Sequence, residues 1–479
     1  MAKNTYRSIF RNISPLDHRY YLSNHALFEQ FEEYISEDGA VKYCLQVEGA
    51  LLAAHLKRNK LGSPENLAEI ERVSRETEPE EVYAEEEITH HNIRALVNVM
   101  KRKLPAGMSP YVHLGATSVD ILDTSASLRY RDVTRKVLVP LLLELEEALI
   151  ELAEGEAETP QVGRTHGQHA VPITVGFAFS EYVARLGKSV RRIHELAGEL
   201  RGKLSGAVGA YNAMGLIVDD PVGFEAEVLG GLGIEPSEYS NQIVEPEHLL
   251  RLLLEYNTAF GIVANLADDL RHLQRTEIGE MREFFSSSQV GSSTMPHKRN
   301  PWNSEHVKSL WKAFSPRVVS FFMDQISEHQ RDLTNSASSR FIADYLAGFG
   351  AAVQRILEVV RSLHIERENL LRNLTGNGDF ILSEAAYILL SQAGEAEAHE
   401  KIRKITLECE RTGISLLEKL REDPALWQVV GSQLRQVRGL EAEEFFSNPA
   451  LYRGQSAEKT LMITERYRKL CRELKAELT

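Results

Sequence analysis

Cysteine is nearly missing from this chain of 479 residues: Cys44, Cys409 and Cys471 are the only three. An odd count without a C-x-x-C spacing excludes a disulfide framework and a zinc ribbon, and fits a reducing cytoplasmic setting. Cys44 lies among apolar neighbours in VKYCLQVEGALLAA, the surroundings of a small core residue rather than of a nucleophile. Long hydrophobic runs are lacking too. The longest aliphatic stretch, VLVPLLL at 137–143, is far short of a bilayer span, and MAKNTYRSIF has no charged region followed by an apolar core, so neither membrane insertion nor export is expected. Positive charge is in deficit. The 55 Lys and Arg face 69 Asp and Glu, and the net charge of −14 repels nucleic acid and anionic membrane, so an anionic substrate must meet a local basic site. No Rossmann glycine motif follows a strand, and no Walker lysine motif or HExxH pattern occurs; no cofactor and no metal are expected.

What remains is ordinary globular composition, 43% hydrophobic and 26% charged, in a chain long enough for two or three domains. Apolar residues recur at helical spacing almost throughout, and strand-like alternation is rare, which predicts an all-α protein. Four long helices are expected, near 125–156, 174–203, 246–285 and 343–371. In the first, Leu138, Leu142, Leu145, Leu149 and Leu152 share one face; in the last, Leu346, Phe349, Val353, Ile356, Val360 and Leu363 step by threes and fours, the pattern of a bundle seam. Helices of about 30 residues reach about 45 Å, more than a compact monomer buries, so a homo-oligomer is expected. Gly-, Ser- and Pro-rich loops at 105–115, 206–215, 286–301 and 375–379 divide the pattern. The expected organisation is three helical domains: an N-terminal one over 1–115, a central long-helix bundle over 116–367 and a C-terminal one over 368–479.

The most informative loop is SSSQVGSSTMPHKRNP at 286–301. A Ser/Gly-rich segment leads through Lys298 and Asn300 into a helix, and such backbone and side-chain donors suit a carboxylate or a carbanion delocalised into one. Taken whole, G-S-S-x-M-P-x-K-x-N-P resembles the signature of the fumarase/aspartase lyase superfamily. HLGATSVDILDTS at 113–125 and GRTHGQHA at 163–170 resemble two further regions of that superfamily, in the expected order. The resemblance implies carboxylate binding by Thr117 and Ser118 and a substrate role for Thr165 and His166. Considered singly, Thr117 and Ser118 are also good helix caps, and His166 with His169 is a weak metal pair without a third ligand.

Within the superfamily, ISPLDHRY at 13–20 and QRDLTNSASSR at 330–340 are similar to the adenylosuccinate lyase branch. They contribute Arg19, Tyr20, Arg331, Ser336 and Arg340, and guanidiniums with hydroxyls suit a phosphate clamp. SNQIVEP at 240–246 resembles the branch's substrate-contacting glutamine region and implies a role for Gln242. One departure stands out: the usual T-x-H-D is here Thr89, His90, His91, Asn92, so His91 lacks a neighbouring carboxylate to stabilise its protonated form.

The resemblance implies β-elimination of fumarate from a succinyl nucleotide, either adenylosuccinate to AMP or the succinyl-carboxamide ribotide of purine synthesis. Ser292 is expected as the base and His166 as the acid, with His91 an alternative for proton transfer; Lys298 and Asn300 would stabilise the aci-carboxylate. It further implies a homotetramer with a core of about twenty helices and active sites drawn from three chains. Argininosuccinate lyase and carboxymuconate-type cycloisomerase chemistry remain alternatives, as does an inactive helical scaffold. The 330–340 stretch speaks against the first two, and the joint presence of Ser292, His166, Lys298 and Asn300 against the third.

Overall fold

The long apolar repeats of the sequence become helices, some of them started by a side-chain cap and others not. The computed structural model describes residues 8–286, 291–376 and 378–478. Helix α1, Glu37–Arg58, starts where Ser36 accepts the N–H of Gly39 at 3.0 Å. Helices α2, Pro79–Thr89, and α3, Asn92–Lys103, follow as an antiparallel pair. Then α4, Ser118–Val133, passes through a single π-helical turn, Thr134–Leu138, into α5, Val139–Gly155, with Pro140 in the first turn of α5. A β-hairpin of β1, Pro160–Thr165, and β2, Gln168–Thr174, leads to α6, Val175–Gly198, capped by Thr174. Two short strands, β3 at Arg201–Gly202 and β4 at Glu235–Pro236, pair in parallel.

The central bundle continues with α7, Glu247–Leu273; a short strand β5, Met281–Arg282; α8, Trp302–Phe314; and α9, Ile342–Arg361. Strand β6, His364–Ile365, pairs antiparallel with β5, and α10, Arg367–Thr375, leads to the C-terminal helices. The last helix, α11, Ser456–Leu478, returns to the bundle, where Tyr467, Cys471 and Leu474 are buried with residues of α5 and α6. No helix among the described residues is long and apolar enough to cross a membrane.

Three hydrophobic cores form among the described residues. The central one buries Leu138, Leu142, Leu145 and Leu149 of the first expected stripe and Leu346, Phe349, Val353, Ile356 and Val360 of the second. An N-terminal core joins α1 and α3 to Ile121 and Leu128 of α4 and to Phe224 and Leu229. A C-terminal core spans Leu382 to Phe446. Three helices stop sooner than the apolar spacing implies: α6 at Gly198, α7 at Leu273 and α9 at Arg361. Beyond Leu273 the chain turns through Gly279, at φ +57°, into β5; beyond Arg361 it enters β6. Short strands and a new helix continue to bury apolar residues there, so the hydrophobic pattern outlasts the helix. The hairpin is the other difference, since few strand-like features mark it in the sequence.

Among the described residues, the bundle buries a carboxyl with neither oxygen compensated. Glu146 of α5 is fully buried and neither carboxylate oxygen has a hydrogen-bond partner; Gly187 of α6 and the Tyr467 and Cys471 side chains of α11 surround it. Burial lifts its pKa well above the ordinary carboxyl range. The folded state therefore holds this proton more tightly than the unfolded chain, and stability falls as pH rises from about 4.5. Glu146→Met should raise stability by about 1–3 kcal/mol at pH 8 and by less at pH 5. Denaturant unfolding at both pH values measures this, and an equal gain at both would mean that the carboxyl does not titrate as described.

Candidate active site

The G-S-S-x-M-P-x-K-x-N-P loop leaves β5 and re-enters the fold at α8, and residues 287–290 lie outside the described part. Its two stems are tied together. Glu283, 8% exposed, accepts the backbone N–H of Asn303 at 3.2 Å and of Ser304 at 2.7 Å, and the side chains of the same two residues at 2.9 and 2.7 Å. Gln274 accepts the N–H of Glu283 at 2.8 Å and donates to the carbonyl of Arg299 at 3.3 Å. Across the loop, Asn300 donates to the carbonyl of Gly291 at 3.1 Å. The Ser292 hydroxyl accepts the N–H of Met295 at 3.1 Å and of Thr294 at 3.4 Å, so its oxygen sits in a small nest of backbone donors. Lys298, further along the loop, is exposed.

The hairpin carries Thr165 and His166 to its tip. His166 at φ +54° and Gly167 at φ +75° make a two-residue turn of the left-handed kind that hairpins favour, and residues 165–168 are exposed. The base of the hairpin is held by Glu280. This carboxylate, fully buried, accepts Arg164 at 2.5 and 3.1 Å, Gln161 at 2.8 Å and Asn373 of α10 at 2.9 Å. Glu280 and Glu283 flank β5, so one short segment anchors both the hairpin and the loop.

Thr117 and Ser118 open α4. Thr117 forms a capping box with Asp120, whose carboxylate accepts the Thr117 N–H at 2.8 Å. Asp120 is fully buried and paired with buried Lys203, and it also accepts the N–H of Gly206 at 3.2 Å. Thr117 is therefore a cap, and both it and Ser118 are half-buried. His113, at φ +62°, bonds buried Glu48 at 2.6 Å just upstream. On the next turn, Asp123 accepts the N–H of Val244 at 2.9 Å, and the N–H of Gln242 donates to the carbonyl of Gln330 at 3.2 Å. Gly209, at φ +79°, passes so close to the carbonyl of Ser240 that no side chain fits there.

These contacts gather the first motif, the Gln242 loop and the start of the 330–340 stretch in one part of the chain. A cavity of about 150 Å³ beside them is lined by Asp123, Ile243, Asp324, Asn335 and Ser339. Arg331 adopts φ +145° and has a buried Nη2 without a hydrogen-bond partner; Ser336 and Arg340 are exposed. Burial pushes the Asp123 carboxyl up to about 6, against the opposing pull of its Val244 bond and of nearby Lys203 and Arg331.

Arg19 and Tyr20 lie elsewhere. The Tyr20 hydroxyl shares a 3.0 Å hydrogen bond with His306 of α8, and their rings stack at 5.7 Å. Arg355 of α9 is nearby, over the Trp302 ring at 5.3 Å and bonded to Asn303 at 2.8 Å. Burial and the two guanidiniums, Arg355 and Arg19, lower the His306 pKa, which keeps that ring neutral. Arg340, just ahead of α9, and Arg355, late in it, are separated by roughly 20 Å of helix, and Arg340 is instead near Tyr83 of α2. His90, at φ +53°, and His91, whose Nδ1 accepts the Arg94 N–H at 3.3 Å, form the exposed turn between α2 and α3; Asn92 caps its neighbour Ile93 at 2.7 Å.

Residues 18–313 match the family model described as Lyase, and residues 327–441 the one described as Adenylosuccinate lyase C-terminal. Adenylosuccinate lyase of Pyrococcus abyssi is 32% identical over 440 residues, spanning 90% of this chain and 94% of that one; the enzyme of Archaeoglobus fulgidus is 34% identical over 86% and 90%. The chain belongs to the adenylosuccinate lyase family. The fold agrees: 3-carboxy-cis,cis-muconate lactonizing enzyme of Pseudomonas putida superposes with a TM-score of 0.77 at 24% identity over 92% and 97% of the two chains. A fumarate lyase of Mesorhizobium sp. BNC1 gives 0.77 at 21% over the same shares. Sequence identity this low shows a shared fold alone, whereas the adenylosuccinate lyases are related along most of their length.

For a member of the adenylosuccinate lyase family, several polar residues of the site were unreadable in the sequence. Lys203, Glu280, Glu283 and Arg355 look like solvated charges until burial is known. His113 was within reach, since it opens the 113–125 motif. Among the described residues no three His, Cys, Asp or Glu side chains are grouped as metal ligands.

The titration of Asp123 gives a measurable consequence. Its charge, present above pH about 6, repels an anion approaching Arg331 and is absent below that pH. Asp123→Asn should bind sulfate on the order of tenfold more tightly than wild type at pH 7.5 and equally at pH 5. Calorimetry at the two pH values decides this; the same ratio at both would assign the effect to shape rather than charge.

Proposed function

We propose that the chain is an adenylosuccinate lyase acting in the cytoplasm, eliminating fumarate from adenylosuccinate to leave AMP, and from the succinyl-carboxamide ribotide by the same chemistry. The observation that carries the chemical reading is the Ser292 hydroxyl held as an acceptor by two backbone N–H groups. Such donors favour a deprotonated oxygen, which a serine base requires. Ser292 removes the proton beside the substrate carboxylate, Lys298 and Asn300 stabilise the aci-carboxylate, and His166 protonates the departing nitrogen. Thr117 and Ser118 hold a carboxylate at the start of α4, with Thr165 beside the acid. Gln242, Arg331, Ser336 and Arg340 serve the nucleotide on one side, and Arg19 and Tyr20 on another; His90, His91 and Asn92 line the rim.

Sites of this kind are assembled from several chains of a homotetramer with its three helical domains arranged around a common long-helix core. Support comes from length. From Ser118 to Gly155 the chain is helical without a reversal, roughly 55 Å, and the hairpin that follows is only about 20 Å long. Thr117–Ser118 and His166 of one chain thus belong to different sites.

Fumarate release from adenylosuccinate, followed by absorbance, tests the reaction directly. Ser292→Ala and His166→Gln should each lower kcat by at least about a thousandfold while leaving nucleotide binding intact. Mixing the two inactive proteins under conditions that exchange subunits should restore part of the activity. Verified mixed tetramers as inactive as their parents would exclude the shared site for this pair.

The phosphate clamp is tested separately. Arg331→Met or Arg340→Met should weaken AMP binding by on the order of 1.5–3 kcal/mol and leave fumarate inhibition nearly unchanged. Calorimetric titration with AMP measures it; unaltered affinity in both variants would return these arginines to the surface.

A further inference from the structure

We infer that Glu283 is a positioning residue for the elimination, fixing Lys298, Asn300 and the Ser292 turn by capping α8 across space. The inference rests on the reaction proposed above. Helix α8 follows Pro301, whose side chain supplies no acceptor, so the N–H groups of Asn303 and Ser304 have no local cap. Glu283, on the other stem of the loop, takes that place. Its two oxygens accept four donors, the two backbone N–H groups and the side chains of Asn303 and Ser304. A carboxylate so satisfied, 8% exposed at the positive end of a helix, holds the entry to α8 rigidly.

From that point the fixed geometry passes back along the loop. Gln274, next after α7, grips both the Glu283 N–H and the carbonyl of Arg299, the residue between Lys298 and Asn300. Asn300 in turn holds the carbonyl of Gly291, immediately before Ser292. Two hydrogen bonds thus lead from Glu283 to the backbone between Lys298 and Asn300, and a third to the residue before Ser292, while Glu283 itself touches none of these side chains.

A glutamine at position 283 has one acceptor oxygen, and its NH2 faces donors. Whichever way the amide turns, the backbone N–H of Asn303 or of Ser304 on the NH2 side loses its acceptor. Glu283→Gln should therefore lower kcat per folded tetramer at least tenfold with KM changed less than threefold, because the stem moves while the substrate-binding residues outside the loop do not. Hydrogen exchange should quicken at least tenfold at the amides of 294–304 and stay unchanged in α5 and α6. Ser304→Ala, which removes a single donor, should show the same pattern in weaker form, and it serves if the glutamine variant does not fold. A kcat within twofold of wild type, a loss confined to KM, or unchanged exchange over 294–304 would each overturn the positioning role. Wild-type protein that releases no fumarate would instead overturn the proposed reaction, and the exchange measurement would still decide whether Glu283 holds the loop.

Discussion

A buried carboxylate at Glu280 sets the geometry on which the site depends. A charge with no exposure to water is stable only when its oxygens are fully bonded, and here the bonds come from three directions: Arg164 and Gln161 of the hairpin and Asn373 of α10. The backbone of the same residue accepts the N–H of Glu366. Satisfying this one group brings the hairpin, β5 and the beginning of the C-terminal region together. Three residues further on, Glu283 repeats the arrangement for the loop and α8. Polar burial on either side of a two-residue strand thus does what a larger sheet does in other folds: it fixes loops at a bundle end with directional bonds that helix packing alone does not supply.

Helix length is the second determinant. The run from Ser118 to Gly155 is kept continuous by a π-turn rather than broken, with Thr134 bonding back to Tyr130 and accepting the Tyr256 hydroxyl. It separates the start of α4 from the hairpin along its whole length. Around the start of α4, in contrast, the fold collects polar groups densely: Asp120 with Lys203, Asp123 with Val244, His113 with Glu48. The 113–125 motif, the Gln242 loop and the start of the 330–340 stretch lie around the start of α4, and His166 lies at the tip of the hairpin beyond α5. The hairpin tip at 165–168 is exposed, whereas Thr117 and Ser118 at the start of α4 are half-buried.

Helical content, the apolar stripes of Leu138 to Leu149 and of Leu346 to Val360, and the three motifs with their order were legible in the sequence. Each depends on periodicity or on a contiguous string of residues, and both survive without knowledge of tertiary contacts. Helix ends were less so: the apolar spacing continues past Leu273 and Arg361 because strands and short helices bury residues as well as long helices do. The hairpin had a local signal in its His166–Gly167 turn, since histidine and glycine both tolerate the left-handed region. Its flanks are polar enough to hide the strands.

By itself, then, the sequence determined the kind of fold and the family, because these are written in composition, spacing and short motifs. Only the tertiary structure decided which charges are structural. Glu280, Glu283, Asp120 and Lys203 are indistinguishable in sequence from the many solvated acids and lysines around them. Burial gives them their roles, and burial is a property of distant segments meeting, as Glu280 meets Gln161 across 119 positions of the chain.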